Sequence, residues 1–316
     1  MQQVRTAVIG VGYLGRFHAQ KYATLPDSRL VAVVDSDAAT RDRVAAEVGC
    51  RSCADFHEIL AEVDAVSIAT PTPLHHPIAR ECLQRGVHVL VEKPITETPA
   101  QARELIALAA SSGRVLQVGH LERFNPAILA LGSALHTPRF IESHRLAPFK
   151  ERGTDVNVVL DLMIHDIDLI QSLVRSPITS IDAVGTSVFS SGLDIANARI
   201  RYANGCVANT TASRVSMKTE RKLRLFQDDA YVSIDLQQKV LTIVRKPPAD
   251  AGATLGQVSI EERTYDQGDA LRLEIEAFLR SIIEGGAPVV TGEAGLQALE
   301  TALRITALVQ AEVHQS

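Results

Sequence analysis

Two groups of residues in this sequence have the types and spacing that proton transfer requires. Lys93 follows an apolar, β-branched run in the segment VHVLVEKP. This pattern predicts a buried parallel strand that carries a lysine to the carboxyl edge of a sheet, where open α/β sheets bind ligands. Asp161 and His165 are four residues apart, and Asp168 follows about one turn later, so a helix places them on one side. An imidazole, with a pKa near roughly 6.5, suits a general base close to neutral pH.

Both groups also have purely structural explanations. A lysine can simply leave a strand end for solvent, and an aspartate can merely orient a buried histidine. The segment 156–174 is apolar on nearly all sides, which is typical of a buried helix. Placing carboxylates and an imidazole there costs several kcal/mol unless they are paired or used. The rest of the chain favours the functional interpretation.

A glycine-rich turn near the N-terminus predicts a dinucleotide site. The segment GVGYLG follows a strand at 4–9 and opens a helix that continues to residue 22. Glycines there let the backbone turn tightly and approach a pyrophosphate, which the helix N-terminus stabilises. A second strand, 30–34, ends in Asp35, whose carboxylate would accept hydrogen bonds from the ribose and repel a 2′-phosphate. NAD is therefore favoured, although Arg41 leaves NADP open. The residues predicted to bind here are Gly10, Gly12, Tyr13, Leu14, Gly15 and Asp35.

The pattern of the first half predicts a doubly wound parallel sheet. Strands at 65–69, 87–91 and 115–118 alternate with helices at 74–84 and 99–110. The loop after the strand at 65–69 leaves the carboxyl edge, so its contact with the cofactor is inferred from position. His75 and His76 point about 100° apart on a helix and are interpreted as surface or cofactor-side histidines, not as metal ligands. The further cofactor residues predicted at this edge are Thr70, Pro71, Thr72, His75, Glu92 and Lys93.

The alternation stops after Gly119, which predicts a second domain. We place the boundary between residues 1–121, the NAD-binding domain, and residues 122–316, an α/β domain for substrate binding and oligomerisation whose last helix could pack back on the first domain. Long strands between 178 and 264, with a hairpin signal at Asn204-Gly205, predict a largely antiparallel open sheet. Amphipathic helices are predicted at 270–284 and 293–312. Arg214 lies in a locally basic stretch that is either a solvated face or a contact for a phosphorylated substrate.

Bulk composition excludes some partners. The 316 residues carry a net charge of −5, so no basic surface indicates nucleic acid or an anionic membrane. No apolar run approaches the roughly 20 residues of a membrane span, and no secretory signal is evident. Four cysteines suit reduced thiols in the cytoplasm. Cys50 and Cys53 lie on a predicted short strand that points them apart, and no metal site is expected.

The order of these motifs resembles the Gfo/Idh/MocA oxidoreductases. The matching residues span nearly the whole chain, namely Gly10-x-Gly12-x-x-Gly15, Thr70-Pro71, Glu92-Lys93-Pro94 and Asp161-x-x-x-His165-x-x-Asp168. The resemblance implies a Rossmann domain, a second α/β domain with an open sheet, a cis peptide before Pro94, and homodimers or homotetramers. Within the family, the segments GHLERFNP at 119–126 and DLMIHDID at 161–168 are similar to those of the UDP-N-acetylglucosamine 3-dehydrogenases.

The expected reaction is oxidation of a secondary hydroxyl of a sugar to a ketone, with hydride transfer to the nicotinamide. Lys93, His165 and Asp161 are the expected catalytic residues, and either Lys93 or His165 could be the base. The alternatives are an inositol or free-sugar dehydrogenase, and a non-catalytic NAD-binding regulator. Contacts to the sugar or nucleotide sugar are expected from Lys93, Arg123, Asn125, Asp161, His165, Asp168 and Arg214.

Overall fold

A computed structural model describes residues 3–149, 156–246 and 258–313 of the chain. The chain falls into two compact units. Unit 1 contains Met1–Leu121 and Asp269–Leu299, and unit 2 contains Glu122–Gly268 and Glu300–Ser316. The division predicted from the sequence, at residue 121, treats everything beyond it as one domain and stays a prediction.

Unit 1 contains a six-stranded parallel sheet in the order β3-β2-β1-β4-β5-β6. The order reverses between β1 and β4, and at such a switch point the carboxyl ends of the strands leave a crevice for a ligand. This arrangement confirms the predicted doubly wound fold. The strands are β1 Val4–Ile9, β2 Ser28–Val34, β3 Arg51–Cys53, β4 Ala65–Ile68, β5 His88–Glu92 and β6 Leu116–Gly119, and the helices between them are α1 Tyr13–Thr24, α2 Ala38–Val48, α3 His75–Gln84 and α4 Pro99–Ser112.

Apolar packing holds the helices against this sheet. Tyr22 of α1 and Val8 of β1 are fully buried, together with Val44 of α2. Burying a side chain of this size contributes about 1.5–3 kcal/mol. Helix α4 begins with a capping box, in which Thr98 accepts from the Gln101 N–H and the Gln101 side chain accepts from the Thr98 N–H. The core therefore fixes the strand ends from which the candidate site residues project.

Unit 2 contains an eight-stranded sheet in the order β14-β13-β12-β11-β7-β10-β9-β8. Neighbouring strands are antiparallel except for β7 and β10, which pair in parallel. The largely antiparallel sheet is confirmed, and Gly205, at φ +86°, makes the predicted hairpin turn. The strands are β7 Phe140–Leu146, β8 Ile178–Thr186, β9 Ile195–Tyr202, β10 Val207–Ser213, β11 Glu220–Phe226, β12 Ala230–Asp235, β13 Val240–Arg245 and β14 Ser259–Thr264.

The helices of unit 2 include the one that carries the predicted base. Helix α5 spans Pro126–Leu129 and α6 spans Ile164–Val174, and one π-helical turn, Val159–Met163, precedes α6 directly. Helix α6 packs on β7 and β10, with Ile164 and Ile167 fully buried. Helix α7, Ala270–Glu284, belongs to unit 1, and helix α8, Gly292–Val313, begins in unit 1 and ends in unit 2. No helix in the described parts of the chain has both the length and the apolar character of a transmembrane span.

Candidate active site

The three glycines of the first turn have three different surroundings. Gly10 has φ +83°, and a Cβ there would lie 2.8 Å from the carbonyl carbon of Ala69. A Cβ on Gly15 would lie 1.8 Å from the Gly10 carbonyl oxygen, whereas a Cβ on Gly12 would meet nothing within 4 Å. Gly10 and Gly15 are therefore required by the fold, and the open space at Gly12 leaves room for a ligand to approach the backbone.

The N-terminus of α1 faces this open space with the properties of an anion site. Gly12 is the N-cap, and among the described residues no side chain caps the helix. Tyr13 and Leu14 of the first turn are 71% and 37% exposed. Backbone N–H groups and the positive end of the helix dipole suit a diphosphate. These residues consequently fit the pyrophosphate of a dinucleotide, and their contact with one stays a prediction.

Asp35 lies beside the same turn, one residue beyond the end of β2. One of its carboxylate oxygens accepts from the Val11 N–H at 2.8 Å, and the other accepts from the Asp37 N–H at 3.0 Å. Arg41 donates to the carbonyl oxygens of Asp35 and Ser36 at 3.3 and 3.2 Å. The Asp35 carboxylate is thus fixed next to the glycine turn, while the nearby Arg41 guanidinium donates to backbone carbonyl oxygens.

His75 connects two loops at the carboxyl edge of the sheet. Its Nδ1 lies 2.9 Å from the Pro94 carbonyl oxygen and its Nε2 lies 2.9 Å from the Thr70 carbonyl oxygen. Burial lowers the pKa of His75, and the two carbonyl oxygens oppose that shift. A neutral ring donates from only one nitrogen. His75 is 1% exposed, so of its two interpretations the surface one is wrong, and a position on the cofactor side stays a prediction. The ring holds together the loops that follow β4 and β5.

Thr70, Pro71 and Thr72 form the first of those loops. Thr72–Leu74 is a single 3₁₀ turn that leads into α3, with Pro71 at its N-cap. Prolines at such positions begin helices as well as shape loops. The three residues therefore lie at the edge where the sequence placed them, and their contact with a cofactor stays a prediction.

Glu92 ends β5 and Lys93 follows it directly. The Lys93–Pro94 peptide bond is cis, as the family resemblance implies. Glu92 is 9% exposed, its Oε1 lies 3.1 Å from His18 Nε2, and its Oε2 accepts from the Lys93 N–H at 3.3 Å. A Cβ on Gly119 of β6 would lie 2.8 Å from the Glu92 carboxyl. The backbone of the predicted catalytic lysine is thus held by a buried carboxylate.

In unit 2, Asp161 lies in the π turn and His165 in the first turn of α6. The Asp161 side chain is 42% exposed, and one of its carboxylate oxygens lies 3.9 Å from Arg214 Nη2. Arg214 is 6% exposed and also donates to the Val156 carbonyl oxygen. The structure therefore brings Arg214 to the π turn that precedes α6. Single π turns occur often at functional sites, and no pattern in the sequence predicted this one.

Other predicted sugar contacts have partners within unit 2. Arg123 makes a two-point ion pair with Asp168, at 2.6 and 2.7 Å. Asn125 caps α5 by accepting from the Ala127 N–H, and its amide donates to Glu122 and to the Leu236 carbonyl oxygen. Contact of these three residues with a sugar stays a prediction.

Sequence reasoning missed a buried ionic network beneath this helix. Arg145 of β7 is 3% exposed and donates to both oxygens of Asp166 and to Glu122. Burial raises the pKa of Asp166, and the Arg145 charge opposes this rise. The only available signal was that Asp166 lies between apolar residues of a buried helix. The network ties α6 to β7 and to the segment that follows residue 121.

Comparison with known proteins places this geometry in a family. Residues 4–120 match the oxidoreductase family with an NAD-binding Rossmann fold, and residues 132–233 match the GFO/IDH/MocA C-terminal domain. The chain is 42% identical to UDP-N-acetylglucosamine 3-dehydrogenase of Acidithiobacillus ferrooxidans over 98% of this chain and 99% of that protein. A solved structure of that enzyme has a TM-score of 0.90, with 98% of this chain and 99% of that chain covered at 41% identity.

Two further comparisons show weaker similarity. The scyllo-inositol 2-dehydrogenase (NAD(+)) of Bacillus subtilis is 29% identical over 68% of each protein. A levoglucosan dehydrogenase in complex with NADH and levoglucosan has a TM-score of 0.87 at 18% identity, over 98% of both chains, which shows a shared fold. The matched domains and the near full-length identity agree with the glycine turn and the Glu92-Lys93-Pro94 edge. The chain therefore belongs to the GFO/IDH/MocA family of oxidoreductases.

Proposed function

We propose that this protein is an NAD-dependent dehydrogenase that oxidises the 3-hydroxyl of a UDP-N-acetylglucosamine-type nucleotide sugar to a ketone. The observation that carries the proposal is 42% identity over nearly the full length of both proteins to an enzyme with that activity. Lys93, Asp161 and His165, which the sequence nominates for the chemistry, are all present in the chain.

In the proposed reaction the nicotinamide, when bound, accepts a hydride from the carbon that bears the hydroxyl. Lys93 and His165 both act on that hydroxyl. One of them removes its proton, and a cationic Lys93 can instead donate to the oxygen and make the proton easier to remove. Asp161 stabilises the imidazolium that forms when His165 is the base.

The preference for NAD is part of the proposal. It is supported by the Asp35 carboxylate, which lies 2.8 Å from the Val11 N–H beside the glycine turn. A carboxylate at this place accepts hydrogen bonds from ribose hydroxyls and repels a phosphate on the same ribose. Arg41, the group that could bind that phosphate, donates to two backbone carbonyls.

The substrate diphosphate is proposed to bind cationic groups of unit 2, with Arg214 as the nominated residue. Its guanidinium lies 3.9 Å from the carboxylate of Asp161, a residue expected to take part in the reaction, and this proximity supports the proposal. Arginine binds phosphate oxygens through two parallel N–H donors.

We also propose a cytoplasmic homodimer or homotetramer, in accord with the four free cysteines and with the family resemblance.

A substrate panel tests the proposal. The purified protein is incubated with NAD or NADP and, separately, UDP-N-acetylglucosamine, N-acetylglucosamine, glucose and scyllo-inositol, and reduced coenzyme is followed by absorbance. Mass spectrometry should detect a product two hydrogens lighter than UDP-N-acetylglucosamine. Turnover of scyllo-inositol in preference to the nucleotide sugar would overturn the substrate assignment in favour of the inositol dehydrogenase alternative.

Matched variants test the residues. Lys93→Ala and His165→Ala should each lower kcat by about 10²-fold or more, because each removes a group that handles the hydroxyl proton. Lys21→Ala replaces a lysine of unit 1 that pairs with Asp269, and His136→Ala replaces an exposed histidine of unit 2; both should keep wild-type turnover. Full turnover in both catalytic variants, with cofactor still bound, would contradict the site assignment.

A further inference from the structure

We propose that His18 is a positioning residue that acts through Glu92 on Lys93, an inference that rests on the proposed dehydrogenase function. His18 lies on α1, the helix that the glycine turn opens, and it is fully buried. Its Nε2 lies 3.1 Å from Glu92 Oε1. An ionised carboxylate only accepts hydrogen bonds, so the Nε2–H of His18 is the donor to Glu92 Oε1.

The Glu92 carboxylate transmits this contact to the lysine. While Oε1 faces His18, Oε2 accepts from the backbone N–H of Lys93 at 3.3 Å. The backbone of Gly119 packs against the Glu92 side chain, since a Cβ at Gly119 would lie 2.8 Å from the Glu92 carboxyl carbon. Glu92 therefore has little space in which to move, and its orientation is set from α1, from β6 and from the Lys93 backbone together.

Simple core packing does not account for this choice of residues. Even when a buried carboxylate and imidazole are hydrogen-bonded, apolar residues of similar volume would often be as stable or more stable at these positions. Glu274 of α7 is also fully buried. One ring nitrogen of His18 and one carboxylate oxygen each of Glu92 and Glu274 lie within 4.8 Å of one another. A polar cluster at this point links the helix of the phosphate-binding turn to the backbone of the proposed catalytic lysine. A change in this cluster should therefore alter kcat, the rate constant that contains the chemical step.

Two amide substitutions of different reach test the proposal. The side-chain N–H of His18→Gln extends about as far as Nε2 and can still donate to Glu92, whereas His18→Asn is one methylene shorter. His18→Asn should lower kcat by about 10–10²-fold, as a displacement of about 1 Å does, with KM for the nucleotide sugar and Kd for NADH within about threefold. His18→Gln should recover most of the lost kcat.

A double variant tests the path through Glu92. In a Glu92→Leu background, His18→Asn should cause no further loss of kcat, because the residue through which it acts is absent. Equal losses of kcat in His18→Gln and His18→Asn that follow equal losses of thermal stability would overturn the proposal in favour of a packing role. A stoichiometric metal ion in the wild type that His18→Asn lacks would also overturn it, since the cluster would then be a metal site.

A readout without turnover separates this proposal from the proposed function. The acetylation rate of the Lys93 amine by acetic anhydride, followed by mass spectrometry, should change in His18→Asn and return towards the wild-type value in His18→Gln. An unchanged rate in His18→Asn would overturn the positioning role even for an enzyme that oxidises the nucleotide sugar. A changed rate would support it even where the substrate panel finds another sugar.

Discussion

Arg123 and Asp168 bind each other through two parallel contacts, Nε to Oδ2 at 2.6 Å and Nη2 to Oδ1 at 2.7 Å. The Asp168 side chain is 1% exposed and that of Arg123 is 17% exposed. Two parallel contacts of this kind require the planar guanidinium. Both residues were predicted to contact the sugar, and a structural pair and a substrate contact respond differently to substitution.

Arg123→Lys should destabilise the protein without a comparable effect on substrate binding. The ammonium keeps the charge but loses one of the two contacts, which leaves a buried carboxylate oxygen poorly paired. We expect the free energy of unfolding, measured with urea, to fall by about 1–3 kcal/mol. Arg224→Lys, at a more exposed pair with Glu142, is the control and should change it by less than about 0.5 kcal/mol. Unchanged stability with a raised KM would instead mean that the pair opens to bind substrate.

The glycine turn allows a contrast between ligand space and folding space. Gly12→Ala should raise the Kd for NADH by about tenfold or more with little change in melting temperature, since its Cβ meets only the open space proposed for the pyrophosphate. Gly15→Ala should lower the melting temperature, because its Cβ would overlap the Gly10 carbonyl oxygen. Calorimetry and NADH fluorescence measure the two effects. A Gly12→Ala protein with wild-type NADH affinity would exclude the turn as the pyrophosphate site.

His88 should make stability depend on pH in weakly acidic solution. Its Nδ1 accepts from the Val115 N–H at 2.9 Å, and burial, followed by the Arg114 charge, lowers its pKa to about 4. The unfolded chain, with a histidine pKa of about 6.5, takes up the proton first as the pH falls. The free energy of unfolding should therefore decrease from pH 6.5 to 4.

The variant His88→Asn keeps a hydrogen-bond acceptor but cannot titrate in this range. Urea unfolding at a series of pH values should accordingly give a smaller decrease for His88→Asn than for the wild type. The exposed residue His136 provides the control, and His136→Asn should retain the wild-type pH dependence. Parallel curves for His88→Asn and the wild type would show that His88 titrates normally in the folded protein.

Local patterns in the sequence were sufficient for the parallel sheet and the glycine turn. The contacts of the glycine turn are with neighbouring strand ends. Short-range patterns, such as a glycine directly after a strand, therefore predict the positions of Gly10, Gly15 and Asp35. The hairpin at Gly205 is a signal of the same kind. The helix around His165 could also be predicted from local sequence, because a segment that is apolar on nearly all sides is typical of a buried helix.

Contacts between distant segments could not be obtained in this way. Arg145 and Asp166 come from a strand and a helix 21 residues apart, and nothing in either segment specifies the other. The parallel pairing of β7 and β10 joins strands separated by two others in the chain. His18 could have been noticed, because Gly15, His18, Ala19 and Tyr22 follow the spacing of a buried helix face. A histidine on that face predicts a buried partner, although the spacing does not identify Glu92.

Asp35 should determine which coenzyme is used. In Asp35→Ser the carboxylate that would hold the ribose and repel a 2′-phosphate is gone, and the Arg41 guanidinium, which donates to the Asp35 carbonyl oxygen, is the neighbouring cation for that phosphate. Loss of charged hydrogen bonds of about 1.5–3 kcal/mol should weaken NAD by about tenfold or more, while NADP gains. The ratio of kcat/KM for the two coenzymes measures the change.

Asp37→Ser is the matched control for this change. Asp37 caps α2 by accepting from the Thr40 N–H at 2.8 Å, and serine is an equally suitable cap, so the coenzyme ratio should stay at the wild-type value. If Asp35→Ser also leaves the ratio unchanged, Asp35 serves only to hold the Val11 N–H of the glycine turn. The preference for NAD would then have to come from other residues.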